Sequence, residues 1–187
     1  MKNYIVFDLE ATCIDKIKYP EQAKTFPNEV VEIGAVKINE KGEIVDSFER
    51  FVKPILNPVL TDYCKNLTKI PQSKIDEAEG FPDVIQAFKE WIGEDYILCS
   101  WGHYDKKQFK KDCELHKLSY QWVLPHISLK HQHQAIRKLK HGMGTRKALH
   151  KEGFAFEGTP HRGIDDAKNI AKIFVKYLNQ WDFRKEE

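Results

Sequence analysis

The chain is 187 residues long, 41% hydrophobic, 31% charged and 12% aromatic, with only 10 Gly and 8 Pro. These proportions suit one soluble globular domain with a sizeable core, and they exclude disorder, collagen-like repeats and a disulfide-stapled miniprotein. The net charge of +2 hides a polarised distribution, because residues 105–151 hold 12 Lys and Arg against 3 Asp and Glu, with six of the eight histidines, while the remainder is acidic.

The chain opens on Tyr4 to Leu9, an alternating, β-prone run. It is too short for the apolar core of a signal peptide or for a membrane span, so a cytoplasmic protein is expected. Val30 to Asn39 reads as a second strand, and the turn Glu40-Lys41-Gly42-Glu43 leads into a third, Ile44 to Val52, giving an antiparallel meander. Pro54, Pro58 and Pro71 break the next segment, which has room for one short helix near Val59 to Leu67. Phe81 to Ile92 has the apolar spacing of an amphipathic helix ended by Gly93. A fourth strand, Tyr96 to Trp101, runs at once into a helix from about Asp105 to Lys117. His126 to Leu129 is a short fifth strand, and helices follow at Lys130 to Leu139, Thr145 to Glu152 and Arg162 to Gln180.

No repeat or linker interrupts this order apart from the charged end at 184–187, so a single domain over 1–187, with its core at about 3–180, is expected. Antiparallel strands followed by alternating strands and helices predict an α/β fold, a mixed five-stranded sheet flanked by helices. Ligands of such sheets gather beyond the carboxyl ends of the strands. The four cysteines, Cys13, Cys64, Cys99 and Cys113, form no C-x-x-C pair, which argues for reduced thiols rather than a zinc ribbon.

Acidic residues stand where these elements end. Asp8 and Glu10 are two apart on the first strand, hence on one face, while Ile5, Phe7 and Leu9 make the other face apolar. A central strand would need partners or a metal for such acids, whereas an edge strand would simply solvate them. Asp105 follows the fourth strand. It reads either as a further member of this acidic group or as the N-cap of a capping box closed by Gln108. In the last helix Asp166 heads the apolar row of Ile170, Ile173 and Tyr177, and Asp165 heads the lysine row of Lys168, Lys172 and Lys176. Asp166 is therefore expected to face inward and Asp165 to face water. His161, five residues before Asp166, is roughly 140° away on a helix and meets it only from the preceding Thr159-Pro160 loop. Four carboxylates can hold two divalent cations, and an all-oxygen set favours Mg²⁺ or Mn²⁺ over zinc. Two such ions stabilise the attacking and leaving oxygens of phosphoryl displacement, and a nearby imidazole can act as general base.

The motifs Phe7-Asp8-Leu9-Glu10-Ala11-Thr12-Cys13, Glu32-Ile33-Gly34-Ala35-Val36, Leu60-Thr61-Asp62-Tyr63-Cys64 and His161-Arg162-Gly163-Ile164-Asp165-Asp166-Ala167 follow one another in order over almost the whole chain. This series resembles the DEDDh 3′-to-5′ exonuclease superfamily, and within it the enhanced-RNA-interference (Eri) type and its bacterial KapD-like relatives. The resemblance implies a ribonuclease-H-like fold, two Mg²⁺ or Mn²⁺ ions held by Asp8, Glu10, Asp105 and Asp166, and His161 as general base. It implies removal of nucleoside 5′-monophosphates from the 3′ end of RNA or single-stranded nucleic acid, with Ala11, Thr12 and Tyr104 touching the terminal nucleotide.

Lys69 departs from the family pattern, standing where many relatives carry glycine, and adds a phosphate-seeking charge. Some animal members carry an additional nucleic-acid-binding domain ahead of the nuclease. With Asp8 seven residues from the start, none is expected here. Two other readings stay open at this point: a DNA-directed trimming or proofreading exonuclease with the same site, and a non-catalytic nucleic-acid-binding regulator on the same fold.

Overall fold

The computed structural model describes residues 2–184, so the last three residues of the charged end lie outside the described residues. Its centre is a five-stranded mixed sheet. Strands β1 (Asn3–Ala11), β2 (Val30–Ile38) and β3 (Ile44–Phe51) form the expected antiparallel meander, and β4 (Tyr96–Ser100) and β5 (His126–Ser128) add in parallel on the other side, in the order β3-β2-β1-β4-β5. β1 is therefore central, which excludes the edge-strand reading of its acids.

The period of two along β1 divides the core. Ile5, Phe7 and Leu9 are buried on one face with Ile33, Phe88 and Phe109, under helices α4 (Phe81–Ile92) and α5 (Tyr104–Leu115). Tyr4 and Val6 are buried on the other face with Val36, Ile38 and the apolar side of α8 (Gly163–Lys176), including Ile170, Ile173 and Phe174. Each fully buried Phe or Ile contributes about 1.5–3 kcal/mol, so both layers are firmly seated. Asp8 and Glu10 continue the second face at the carboxyl end of β1, where α8 begins.

Two short helices, α1 (Pro20–Thr25) and α3 (Gln72–Asp76), were not expected from the sequence. The first buries no residue and the second only Ile75, so neither has an apolar stripe to show. The segment between them holds α2 (Asp62–Thr68), which starts three residues later than expected because the Thr61 hydroxyl caps it by accepting from the Cys64 N–H at 3.0 Å. Its C-cap is Lys69 at φ 59°, the left-handed conformation that glycine adopts without strain. The remaining helices are α6 (Leu129–Ile136) and α7 (Thr145–Lys151). α6 ends three residues early, before a left-handed Lys138, and α8 gives way to a 3-10 turn at Leu178–Gln180. Among the described residues no helix is long and apolar enough to cross a membrane.

Candidate active site

Three of the predicted acids converge. Carboxylate oxygens of Asp8 and Glu10 from β1 and of Asp166 from the first turn of α8 lie within 4.8 Å of one another. The approach depends on Gly34, which pairs with Asp8 across the β1–β2 ladder and faces Gly163 at the start of α8.

Asp105 joins this group by another route than helix capping. α5 begins at Tyr104 with His103 as N-cap and no side-chain cap, and the Gln108 amide is spent on the Asn28 carbonyl and the Asp112 carboxylate, so the capping-box reading is overturned. The parallel β1–β4 ladder stops at Val6 and Cys99, which leaves the Leu9 N–H beyond the reach of β4. The buried Asp105 carboxylate accepts that N–H at 3.2 Å.

His161 lies in the loop before α8, as the five-residue spacing required. Its backbone adopts φ 62°, and its N–H donates to Asp166 Oδ2 at 2.7 Å. The imidazole is exposed and shares a cleft of about 410 Å³ with Asp166, Pro160, Arg146 and Lys147. Asp165 does not simply face water. It is half-buried and accepts the Thr159 N–H at 2.8 Å, because the chain before α8 turns back through left-handed Gly158 and His161.

The proposed substrate residues differ in what they expose. Tyr104, next to Asp105, is 54% exposed, so its ring is accessible to a ligand. Ala11 ends β1 at a bulge and is buried. Thr12 is also buried. Its hydroxyl accepts the Glu29 N–H at 2.9 Å, its own N–H donates to the Glu29 carbonyl, and its carbonyl accepts from the Asn28 amide.

Several residues that shape the site had no role assigned from sequence. Fully buried Glu32, across the ladder from Glu10, accepts from Arg162 Nε at 3.1 Å, and Arg162 also reaches Glu49 at 2.8 Å. Glu29 accepts the N–H groups of Ile55, Leu56 and Asn57 at 2.7–3.0 Å and so folds the Pro-rich loop. A buried acid inside the apolar run Val30 to Ile38 was the available signal for Glu32. Arg146 gave none, since it is one cation among many in the basic stretch.

The electrostatics follow from concentrating these acids. Burial, reinforced by Asp105, Glu10 and Asp166, holds the Asp8 carboxyl well above its ordinary range. Burial and the charges of Asp166, Glu32 and Asp105 push Glu10 up to about 9. Asp105 rises to about 6 through burial, with the Leu9 N–H opposing, and Asp166 rises through burial although His161 and Arg146 oppose it. Arg162 is committed to Glu32 and Glu49. Acids in this arrangement need either protons or a divalent cation, and their all-oxygen donor set fits a hard cation.

Comparison with known proteins agrees with this geometry. The exonuclease (RNase T) family matches residues 5–174. The chain belongs to this exonuclease family. It is 32% identical over 184 residues to 3′-5′ exoribonuclease 1 of Rattus norvegicus, covering 92% of this chain and 52% of that protein. It is 31% identical over 171 residues to the probable 3′-5′ exonuclease KapD of Bacillus subtilis, covering 91% and 82%. The chain thus spans about half the length of the mammalian exoribonuclease and most of the bacterial exonuclease. The nuclease domain of 3′hExo, a DEDDh family member solved bound to rAMP, superposes with a TM-score of 0.87 at 31% identity over 95% of this chain and 92% of that one. The mixed sheet flanked by helices is therefore the ribonuclease-H-like fold of the DEDDh exonucleases.

Proposed function

We propose that the protein is a 3′-to-5′ exonuclease that releases nucleoside 5′-monophosphates from the 3′ end of RNA or single-stranded nucleic acid. The observation that carries this reading is the convergence of Asp8, Glu10 and Asp166, flanked by Asp105, beside a loop histidine. Asp8, Glu10, Asp105 and Asp166 would hold two Mg²⁺ or Mn²⁺ ions. Bound there, the ions would neutralise charge that develops on the oxygens of an in-line phosphodiester displacement.

The protein's own groups supply the rest. An imidazole nitrogen of His161 takes the proton of the attacking water as general base. The Asp166 carboxylate, anchored to the His161 N–H, keeps that loop in place. Tyr104 offers its ring to the terminal base or sugar, where stacking tolerates any sequence. Ala11 and Thr12 bound the terminal nucleotide. Since the polar groups of Thr12 already hold residues 27–29, its contribution is shape.

RNA as the favoured substrate is supported by the exoribonuclease among the relatives and by the rAMP on the structural neighbour. Against an idle nuclease fold stands the electrostatic strain of four clustered carboxylates, which a purely structural role does not require. The test is incubation with matched 5′-labelled RNA and DNA oligonucleotides, with Mg²⁺ or with EDTA. A ladder shortened from the 3′ end, strongly slowed by a 3′-phosphate and absent in EDTA, is expected. Equal cleavage of circular and linear strands would overturn the reading, and a faster DNA ladder would assign the enzyme to DNA.

A further inference from the structure

The basic stretch of residues 105–151 does more than spread charge over helix surfaces. Where β4 and β5 end, His103, Lys106, Lys107 and His131 line one cleft of about 500 Å³. The two imidazoles stack with centroids 4.5 Å apart and planes inclined by 22°. Ser128 at the end of β5 holds His131 Nδ1 at 2.6 Å, which leaves Nε2 as the ring nitrogen for a ligand. The stem of Lys130 passes Gly102, 3.9 Å from where a Cβ would be. Among the described residues, every side chain lining this cleft is a cation or an imidazole.

Its position matters as much as its charge. His103 and Lys106 bracket Tyr104 and Asp105 on one strand-to-helix connection, so the cleft and the acidic site are two sides of the same turn. β1 and β5 are separated by β4 alone, which puts them about 10 Å apart at ordinary sheet spacing. A strand with its 3′ end at β1, passing over Tyr104, therefore meets the cleft with a phosphate upstream of the scissile one.

We infer that the cleft of His103, Lys106, Lys107 and His131 binds a backbone phosphate of the substrate strand upstream of the scissile one. This rests on the exonuclease reading and deepens it, since it makes the enzyme read strand length as well as a free end. It also makes the last steps of digestion slow: once the strand is too short to reach the cleft, it is held by the terminal site alone.

The experiment compares a dinucleotide with an eight-residue RNA as substrates for the wild type, Lys106→Ala/Lys107→Ala and His131→Ala. The dinucleotide cannot reach the cleft and reports on the acidic site alone. For the longer strand KM should rise roughly 10-fold, the usual scale for losing a charge-assisted contact, with kcat and dinucleotide hydrolysis little changed. Lys106→Arg/Lys107→Arg should restore the wild-type KM. Binding of the longer strand, followed by anisotropy in EDTA, should lose about 0.7 from its log-log salt slope for the one phosphate released. Equal KM losses on both lengths, or none on either, would overturn the inference. A wild type that hydrolyses neither strand would instead overturn the exonuclease reading, while the anisotropy measurement would still decide whether the cleft binds phosphate.

Discussion

A methyl group on Gly34 would sit 2.0 Å from the carbonyl carbon of Gly163, so the two glycines let the first turn of α8 rest on β2 backbone against backbone. Because Gly34 pairs with Asp8, this contact sets how close Asp166 comes to the acids of β1. Gly34→Ala should therefore push α8 outward, lowering stability by at least the 1–3 kcal/mol typical of overpacking and activity by more than the stability loss explains. Thermal melts and turnover below the melting range check this, and a variant with native turnover would separate the glycine contact from assembly of the site.

The clustered acids make a prediction whose sign differs with and without cations. Burial and mutual repulsion raise Asp8, Glu10 and Asp105 in the folded protein, so the fold binds more protons there than the unfolded chain does. Stability contributed by these groups is then present below their unfolded pKa, near 4, and is lost as pH rises through about 6 for Asp105 and about 9 for Glu10. Asp8→Asn should raise the melting temperature of the metal-free protein at pH 8 by at least about 2–4 °C, the equivalent of about 1 kcal/mol, while abolishing hydrolysis. Millimolar Mn²⁺ should stabilise the wild type and leave the variant nearly unchanged. A wild type whose melting temperature ignores Mn²⁺ would contradict the proposed cation site.

Neighbouring Asp165 and Asp166 should separate by substitution. Asp166→Asn removes a charge from the acidic group and should nearly eliminate turnover. Asp165→Asn keeps an oxygen for the Thr159 N–H and should be mild, whereas Asp165→Ala frees the loop that carries His161 and should slow turnover while leaving cation binding in place. Equal losses in the two Asn variants, both folded, would refute the assignment of separate roles.

Residues with a strong local period were readable from the chain. Alternation placed Asp8 and Glu10 on one face of β1, and the rows of α8 separated Asp166 from its neighbour. Asp105 could be placed near the site but its partner could not, because the bond to Leu9 spans 96 positions and depends on where the β4 ladder stops. Asp165 was misjudged for a related reason. Helical rows describe the helix alone, and the loop folded over that row owes its path to positive φ at Gly158 and His161. Helices as short as α1 and α3 bury too little to imprint a period.

The left-handed backbone of His161 allows its imidazole to be tested apart from its loop. With φ at 62°, any β-carbon at this position is strained, and glycine relieves that strain. His161→Gly should thus keep or slightly raise the melting temperature, keep the N–H bond to Asp166, and still lose roughly 10²–10⁴-fold in turnover if the ring is the general base. His161→Ala should lose turnover to the same extent with a slightly lower melting temperature, because it keeps the strained backbone without the ring. Cation binding should survive in both, since the four carboxylates are untouched. The alternative, a histidine whose ring packs the loop, predicts the opposite: both variants would melt below the wild type and stay near-native in turnover. Measured side by side, the two variants therefore decide whether the proton of the attacking water passes to His161.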